Sequence, residues 1–517
     1  MKFTILSDSI NLQDWQYNSI KELLKINGLK CETIYINNNL KLTNKSFKNI
    51  FFRIFFKLFF KSKENKKSIK DLIPNVIIKN VKTKKVGIYK EEFMDSEINE
   101  IKDSSLSFII RFGFGILSGD ILKVSKYGVW SFHHGDNNKY KGRPACFWEM
   151  YNSEKNINGM LQVLSEKLDD GQILSTWNVK CNNFNYFKNL SEIKKSGIYE
   201  LRKTILKIKN NIPIKNNKKN ITSYRPNKMP TNIEFLNFLK IIFKSYLISF
   251  FEKLFIQNWI IIIENLNKEK YKLVKTNDKG SFMADPFLMK IGKNIIIFYE
   301  FYCKKLKKGQ INHVVLDHDF KNLSSGISLK ENFHLSYPCF FKYRNNNYII
   351  PEMSKSNRQD IYKVNKDLKL SFHKNILKNI NISDPTIFFF NNMWWIFGNC
   401  NFNELHIWYA KTPFSKWVPH ELNPVKVDIK SNRPAGNLFV LNNTIFRPTQ
   451  DLSNYYGEKI IINKIINLSE HDFFEEEFER IDYNTFSKKY NAIGVHTMNS
   501  LDDFKVYDLM NSKLRFF

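Results

Sequence analysis

Phe108-Ile-Ile-Arg-Phe-Gly-Phe-Gly-Ile-Leu-Ser-Gly-Asp-Ile-Leu122, followed by Gly128-Val-Trp-Ser-Phe-His-His-Gly-Asp136, Tyr140-Lys-Gly-Arg-Pro144 and Leu168-Asp-Asp-Gly-Gln-Ile-Leu174, decides how this chain folds. The apolar run ending in Gly113 and Gly115 predicts a buried strand that opens into a loop needing backbone freedom. A second short strand, Val129 to Phe132, delivers His133 and His134 to a polar loop. Further on, Asp169 and Asp170 sit in an Asp-Asp-Gly turn. A histidine at a strand end faced by an aspartate from another loop suits general acid/base chemistry.

Upstream, residues 2–6 read as a strand, Gln13 to Lys25 as a helix stopped by Asn27-Gly28, and Cys31 to Ile36 as a second strand. Strand-helix-strand at these lengths predicts a parallel, Rossmann-like sheet with right-handed crossovers. The first loop, Ser7-Asp8-Ser9, carries no Gly-x-Gly-x-x-Gly, so a nicotinamide or flavin cofactor is not indicated. A strand at 87–89 and a helix near Ser96 to Asp103 precede the central stretch. A helix at Pro144–Asn152, strands at Met160–Ser165 and Gln172–Lys180, and a closing helix at Leu190–Lys209 follow it.

Residues 1–209 resemble the catalytic domain of N10-formyltetrahydrofolate-dependent formyltransferases, which act on initiator methionyl-tRNA or on nucleotide-linked amino sugars. The family pattern is Asn-x-His, a loop ending Tyr-Arg-Gly, then Leu-Asp-x-Gly; it is matched here by Ser131-Phe132-His133, Tyr140-Lys141-Gly142 and Leu168-Asp169-Asp170-Gly171. The resemblance implies N10-formyltetrahydrofolate as formyl donor, with Phe112, Gly113, Phe114, Gly115, Ile116 and Leu117 as the loop against its pterin ring. It also implies His133 as acid/base and oxyanion donor, Asp169 as its partner, and His134, Asp136 and Tyr140 on the acceptor side. The departure is Ser131, where the family carries its catalytic asparagine. Losing one oxyanion donor typically costs on the order of 10²–10³ in rate, unless His134 or a backbone N–H substitutes.

The 517 residues exceed one ordinary core, and 43% hydrophobic content supplies material for two or three globular domains. Six cysteines without metal-ligand spacing read as reduced, mostly buried thiols, and no metal site is expected. With 80 basic against 50 acidic residues the net charge is +30, which would draw the chain to nucleic acid, anionic lipid or a diphosphate substrate. No nucleic-acid-binding motif accompanies the charge, and nucleic acid is not the expected partner. Met1-Lys-Phe-Thr-Ile-Leu6 is too short and too soon polar for a secretory signal. There is also no run of about 18 or more uncharged apolar residues. A cytoplasmic protein, peripheral to the inner face of a membrane if it touches one, is the expectation.

Two aromatic segments stand apart. In Ser46-Phe-Lys-Asn-Ile-Phe-Phe-Arg-Ile-Phe-Phe-Lys-Leu-Phe-Phe-Lys61, Lys45, Asn49, Arg53, Lys57 and Lys61 recur at i, i+4 as one narrow polar stripe. Such a helix is either buried under another domain or lies in a membrane interface. Residues 210–257 read as a polar linker to Lys228 and then a helix, opened by the capping box Thr231-Asn-Ile-Glu234 and running to about Gln257. The 46–61 helix is expected to pack on it and bridge the domains, its basic edge left for anionic lipid.

Residues 258–517 repeat. Ala284-Asp-Pro-Phe-Leu288, Ser336-Tyr-Pro-Cys-Phe340, Ser383-Asp-Pro-Thr-Ile387 and Asn432-Arg-Pro-Ala-Gly436 recur roughly every 50 residues, each before an apolar strand, an Asn or Gly turn and a second strand. Tyr490-Asn-Ala-Ile-Gly-Val-His496 reads as a fifth start. The expected fold class is therefore an α/β Rossmann-like domain followed by an all-β five-bladed propeller, closed by an early strand near Trp259 to Ile263. The propeller resembles the N-terminal domain of glucosamine inositolphosphorylceramide transferases, itself similar to family 43 glycoside hydrolases. Repeat starts should bring Asp285, Asp384, Arg433 and His496 to the axis with Glu352. Paired carboxylates there suit glycoside hydrolysis, but a late-repeat acid is missing, and binding of a glycan or nucleotide sugar is favoured. A purely structural ring, in which each Asp-Pro caps its strand, stays open. Together the resemblances imply transfer of a formyl group to an amino sugar in surface-glycan synthesis; a glycan-binding scaffold without chemistry is the alternative.

Overall fold

Residues 2–37 set up the first sheet. Strand β1, Lys2–Ser7, leads through helix α1, Asp14–Leu24, to β2, Lys30–Asn37, which pairs with β1 in parallel. Then come helix α2, Ile50–Phe60, strand β3, Ile77–Val81, helix α3, Asp95–Asp103, and strands β4, Phe108–Arg111, and β5, Val129–His133. Helix α4, Phe147–Tyr151, strands β6, Asn156–Val163, and β7, Ile173–Lys180, and helices α5, Tyr186–Lys209, and α6, Asn232–Glu252, follow. The computed structural model describes all residues except 40–46, 61–65, 88–89, 137–138, 167–170, 215–226, 253–254, 269, 275–277, 279–280, 402 and 515–517. The chain divides into two units, Met1–Ile248 and Ser249–Phe517. The boundary falls inside α6, within the 210–257 segment of linker and helix.

In the first unit the sheet runs β7-β6-β5-β4-β1-β2-β3. Neighbours from β5 to β3 are parallel, and β6 and β7 return antiparallel. Strand order reverses between β1 and β4, so the carboxyl ends of these strands border the crevice where open α/β sheets bind ligands. Phe3, Phe108 and Trp130 stack across β1, β4 and β5, at 5.3 and 4.6 Å between centroids. The apolar run of β4 is continuous because helices leave neither face of a parallel sheet to water.

Several expected boundaries move. The strand placed at 87–89 is instead a small ribbon of Lys84–Val86, Lys90–Glu92 and Ile116–Leu117; residues 88–89 lie outside the described ones. Helix α6 opens with the expected capping box, in which the Glu234 N–H donates to Thr231 Oγ1 at 3.3 Å and the Thr231 N–H to Glu234 at 2.7 Å. It ends at Glu252 rather than near Gln257. The isoleucine-rich strand Phe255–Asn265 begins there, because β-branched residues fit a ladder and Phe504–Leu514 is available to pair with it. Helices α2 and α6 do pack, Phe55 on Phe235 at 5.3 Å, with Phe51 N–H donating to Asn232 Oδ1 at 3.1 Å. Both of these contacts lie within the first unit.

In the second unit, four-stranded antiparallel paths follow one another, two with an extra short strand. Four begin at Phe282–Ile291, Ser336–Tyr343, Ser383–Phe390 and Arg433–Pro434. The fifth joins Phe255–Asn265 and Lys270–Val274 to the final strands Gly494–Leu501 and Phe504–Leu514. Inner-edge contacts run in cyclic order. Tyr337 N–H donates to Asp285, Asp384 N–H to Glu352, the Arg433 guanidinium to Asp384, Asn437 N–H to Asn499, and Thr497 Oγ1 back to Asp285.

Candidate functional site

The first unit places Ser131 and His133 two residues apart on β5, so their side chains leave the same face of the sheet. His133 Nε2 lies 3.2 Å from the Tyr140 carbonyl oxygen. A carbonyl only accepts, so the bond puts a proton on Nε2. Gly135 makes that approach possible, since a Cβ there would lie 2.6 Å from the same carbonyl oxygen.

Arg111, at the carboxyl end of β4, is the residue that sequence reasoning missed. It sits in register beside Ser131, and its Nη1 donates to Ser131 Oγ at 3.0 Å. Its Nη2 donates to the carbonyls of Phe114 at 3.1 Å and Gly115 at 2.5 Å. Its Nε is buried without a hydrogen-bond partner. Burial lowers its pKa, which nearby Asp8 counters. A guanidinium stays charged in such a place. The available signal was one charged residue ending the apolar run Phe108–Ile110.

The Phe112–Leu117 loop is held by acids. Asp8 accepts the Phe114 N–H at 2.8 Å, and Glu91 accepts the Gly115 N–H at 3.2 Å. A Cβ on Gly113 would come within 2.3 Å of the Asp8 backbone nitrogen, so only glycine fits. Of the loop expected against the pterin ring, three side chains turn into the protein. Phe114 stacks on Phe93 at 5.2 Å, Leu117 is in the core, and Phe112 packs edge-on against Trp15 at 5.4 Å. The N–H groups from Phe112 to Gly115 are all bonded within the chain, two of them to the Leu6 carbonyl.

His134 is also corrected. It points to the opposite face from His133, its ring 5.4 Å from Trp15 and 6.2 Å from Phe132. Burial first, then the Lys194 charge, push its pKa down to about 3, so it is neutral and is not placed to replace an oxyanion donor. Tyr140 donates to Glu154 at 2.7 Å, and burial raises its pKa. Asp136 closes the turn, its carbonyl accepting the Tyr140 N–H at 2.6 Å. Asp169 lies outside the described residues.

In the second unit Asp285, Glu352, Asp384 and Arg433 come together. Asp285, Tyr337 and Asp384 occupy equivalent bulges, each immediately before a proline, with φ of 52°, 45° and 52°. Non-glycine residues in that region store strain, and the bulge re-aims the side chain off the ladder. Arg433 donates to Asp384 and lies 3.8 Å from Glu352. Gln450 also donates to Asp384, at 2.7 Å. Burial alone would raise Asp384, yet Arg433 holds it below the ordinary carboxylate range. Burial and the Asp384 charge push Glu352 up to about 8, so it keeps its proton at neutral pH. Burial also raises Glu300, beside His334.

His496 joins the cluster between two carboxylates, Nε2 3.3 Å from Asp285 and Nδ1 2.8 Å from Asp508. Burial opposes charge on it, but Asp508 and Asp285 raise its pKa. Asp285, His496 and Asp508 offer three ligand atoms within 4.8 Å of one another, a possible metal-holding group where none was expected. Asp508, Glu300, His334, Gln450 and Tyr456 were not foreseen. The signal for Asp508 was a charge inside the apolar strand Val506–Leu509.

Residues 270–508 match the family model described as "Glucosamine inositolphosphorylceramide transferase 1, N-terminal". The rice (Oryza sativa subsp. japonica) protein of that name is 33% identical over 208 residues, covering 38% of this chain and 28% of that protein. The chain thus spans under a third of the length of this relative. A bifunctional polymyxin resistance protein ArnA from Wigglesworthia glossinidia brevipalpis is 32% identical over 146 residues, 28% of this chain and 21% of that protein. Methionyl-tRNA formyltransferase of Prochlorococcus marinus (strain AS9601) is 29% identical over 96 residues, 18% of this chain and 29% of that protein. The chain is therefore similar both to formyltransferases and to the N-terminal region of a glycan-related transferase.

Proposed function

We propose that the first unit transfers a formyl group from N10-formyltetrahydrofolate to the amino group of a nucleotide-linked amino sugar, and that the second is a five-bladed propeller that binds glycan or nucleotide sugar. The observation that carries the first part is Arg111 joined to Ser131, on the face His133 shares, at the switch point of the sheet. What supports a fit to the donor is the Arg111 guanidinium at the crevice, whose Nε lacks an acceptor. When bound, the folate supplies a one-carbon carbonyl open to attack by an amine.

The residues divide the work. Arg111 stands in for the family's asparagine amide as a donor to oxygen where negative charge develops, and Ser131 holds its fork in place. His133, held against the Tyr140 carbonyl, receives the amine proton. Asp169, on the resemblance, orients His133. Six free cysteines, five of them buried, suit a reducing cytoplasm as the place of reaction.

For the second unit, binding is favoured over hydrolysis. Asp384 is taken by Arg433 and Gln450, and Asp285 by His496, Thr497 and the Tyr337 N–H, so the chain itself occupies the carboxylates a glycosidase keeps for substrate. Arg433, over the half-exposed Tyr456 ring at 5.1 Å, presents a cation and an aromatic face to a sugar or diphosphate.

The test is to incubate the full chain with formyl donor and a panel of nucleotide-linked amino sugars, following formylated product by mass spectrometry. Product with one sugar supports the reading. No product, together with no heat of binding for a folate analogue, overturns it in favour of a scaffold without chemistry.

A further inference from the structure

We propose that the outward sides of α2 and α6 form a docking surface for an anionic lipid bilayer. The inference is independent of the formyl-transfer reading. Helix α2 already has a satisfied side: Phe52 is 2% exposed, against Phe147, Tyr186 and Phe235. Phe51, Ile54 and Leu58, spaced by three and four residues, form a second apolar side, with Phe47 just ahead of it. Phe47 is 84% exposed and Leu58 65%. Helix α6 repeats the arrangement. Phe235 and Phe238 are buried, while Leu236, Leu239, Phe243 and Leu247 lie on an exposed stripe, Phe243 at 65%.

An exposed apolar side on each of two neighbouring helices is far more than a soluble surface normally leaves in water. The charges say what covers it. Residues 47–60 contain no acid, and the acid in 232–248, Glu234, is engaged by Thr231 in the capping box. Among the described residues of 47–60 and 232–248, the exposed charges, Lys48, Lys57, Lys240 and Lys244, are all positive. Their stems can lie along the apolar side while the ammonium groups reach outward. A groove of about 670 Å³ beside α2 continues the pattern, with Lys21, Lys67, Lys194 and Lys195 outnumbering Asp14 and Glu22 around Phe59 and Phe187.

A second copy of the chain would bring these lysines against their own kind, whereas anionic headgroups neutralise them. The geometry is that of a helix lying in the interface plane rather than crossing it. Among the described residues no helix is long and apolar enough to span a membrane.

The full chain should cosediment with phosphatidylcholine vesicles containing phosphatidylglycerol, and at least about tenfold less with phosphatidylcholine alone, since each basic residue near such a surface adds about 1 kcal/mol. The double variant Leu58→Glu, Phe243→Glu should lose binding by more than about tenfold with Tm unchanged, because both positions are exposed. Lys57→Glu with Lys240→Glu and Lys244→Glu should abolish the preference for anionic vesicles. Equal binding by wild type and the double variant overturns the proposal. So does a wild type that ignores vesicles and elutes as a dimer that the double variant dissociates.

Discussion

In the proposed reaction Arg111 supplies the donor that Ser131 cannot supply alone. A serine hydroxyl reaches less far than an asparagine amide, and the guanidinium fills that distance from the neighbouring strand, donating to Ser131 Oγ at 3.0 Å. Arg111→Met should lower kcat by about 10²–10³-fold. Arg111→Lys should fall between, because it keeps the charge and loses the fork. Binding of a folate analogue separates this role from merely holding the Phe114 and Gly115 carbonyls; affinity lost in step with kcat would reduce Arg111 to a loop support. Glu352 gives a second prediction at this scale. Its folded pKa, about 8, lies above the ordinary value of 4.5. Between those values the folded state keeps a proton that the unfolded chain has released, so stability falls as pH rises, by up to about 1.4 kcal/mol per unit for one proton. Melts from pH 6 to 8 should show the second unit weakening in wild type and a flatter profile in Glu352→Gln; equal slopes would refute the assignment.

Helix α2 shows how one element can serve two surfaces. Phe52 fills a pocket of Phe147, Tyr186 and Phe235, and truncating it to alanine should cost about 3–5 kcal/mol in chemical denaturation of the first unit. Phe51, its neighbour on the outward side, should cost no more than about 0.5 kcal/mol when truncated. Matching losses would mean the helix is buried on both sides. The sequence located this helix and its partner α6 through their phenylalanines and the capping box, because helical period and caps are local signals. Which phenylalanines are inside was not legible, since nearly every non-stripe position is apolar and period alone does not choose a face.

At the scale of the whole molecule, two units with separate cores should melt in two calorimetric transitions. The buried pair of Arg447 and Glu475, at 2.6 Å, belongs to the second, and Glu475→Gln should lower that transition alone. Leaving Arg447 without its partner carboxylate typically costs about 3–5 kcal/mol. A folate analogue should raise only the first transition. A single cooperative transition that moves with both changes would show the units to be energetically one.

The sequence by itself determined the parallel sheet, the histidine strand, the repeat of sheet-starting proline motifs and the convergence of Asp285, Glu352, Asp384 and Arg433. The first three follow from hydrophobic period, glycine placement and spacing along one chain; the convergence was expected from the repeat and the family resemblance together. Only the tertiary structure decided that Arg111 stands beside Ser131, that His134 turns away from His133, that Phe114 belongs to the core and that Asp508 clamps His496. The physical reason is register: strands distant in sequence become neighbours through a ladder. A one-residue difference along a strand sends a side chain to the opposite face, and pairing between distant strands leaves no mark in the local pattern of either.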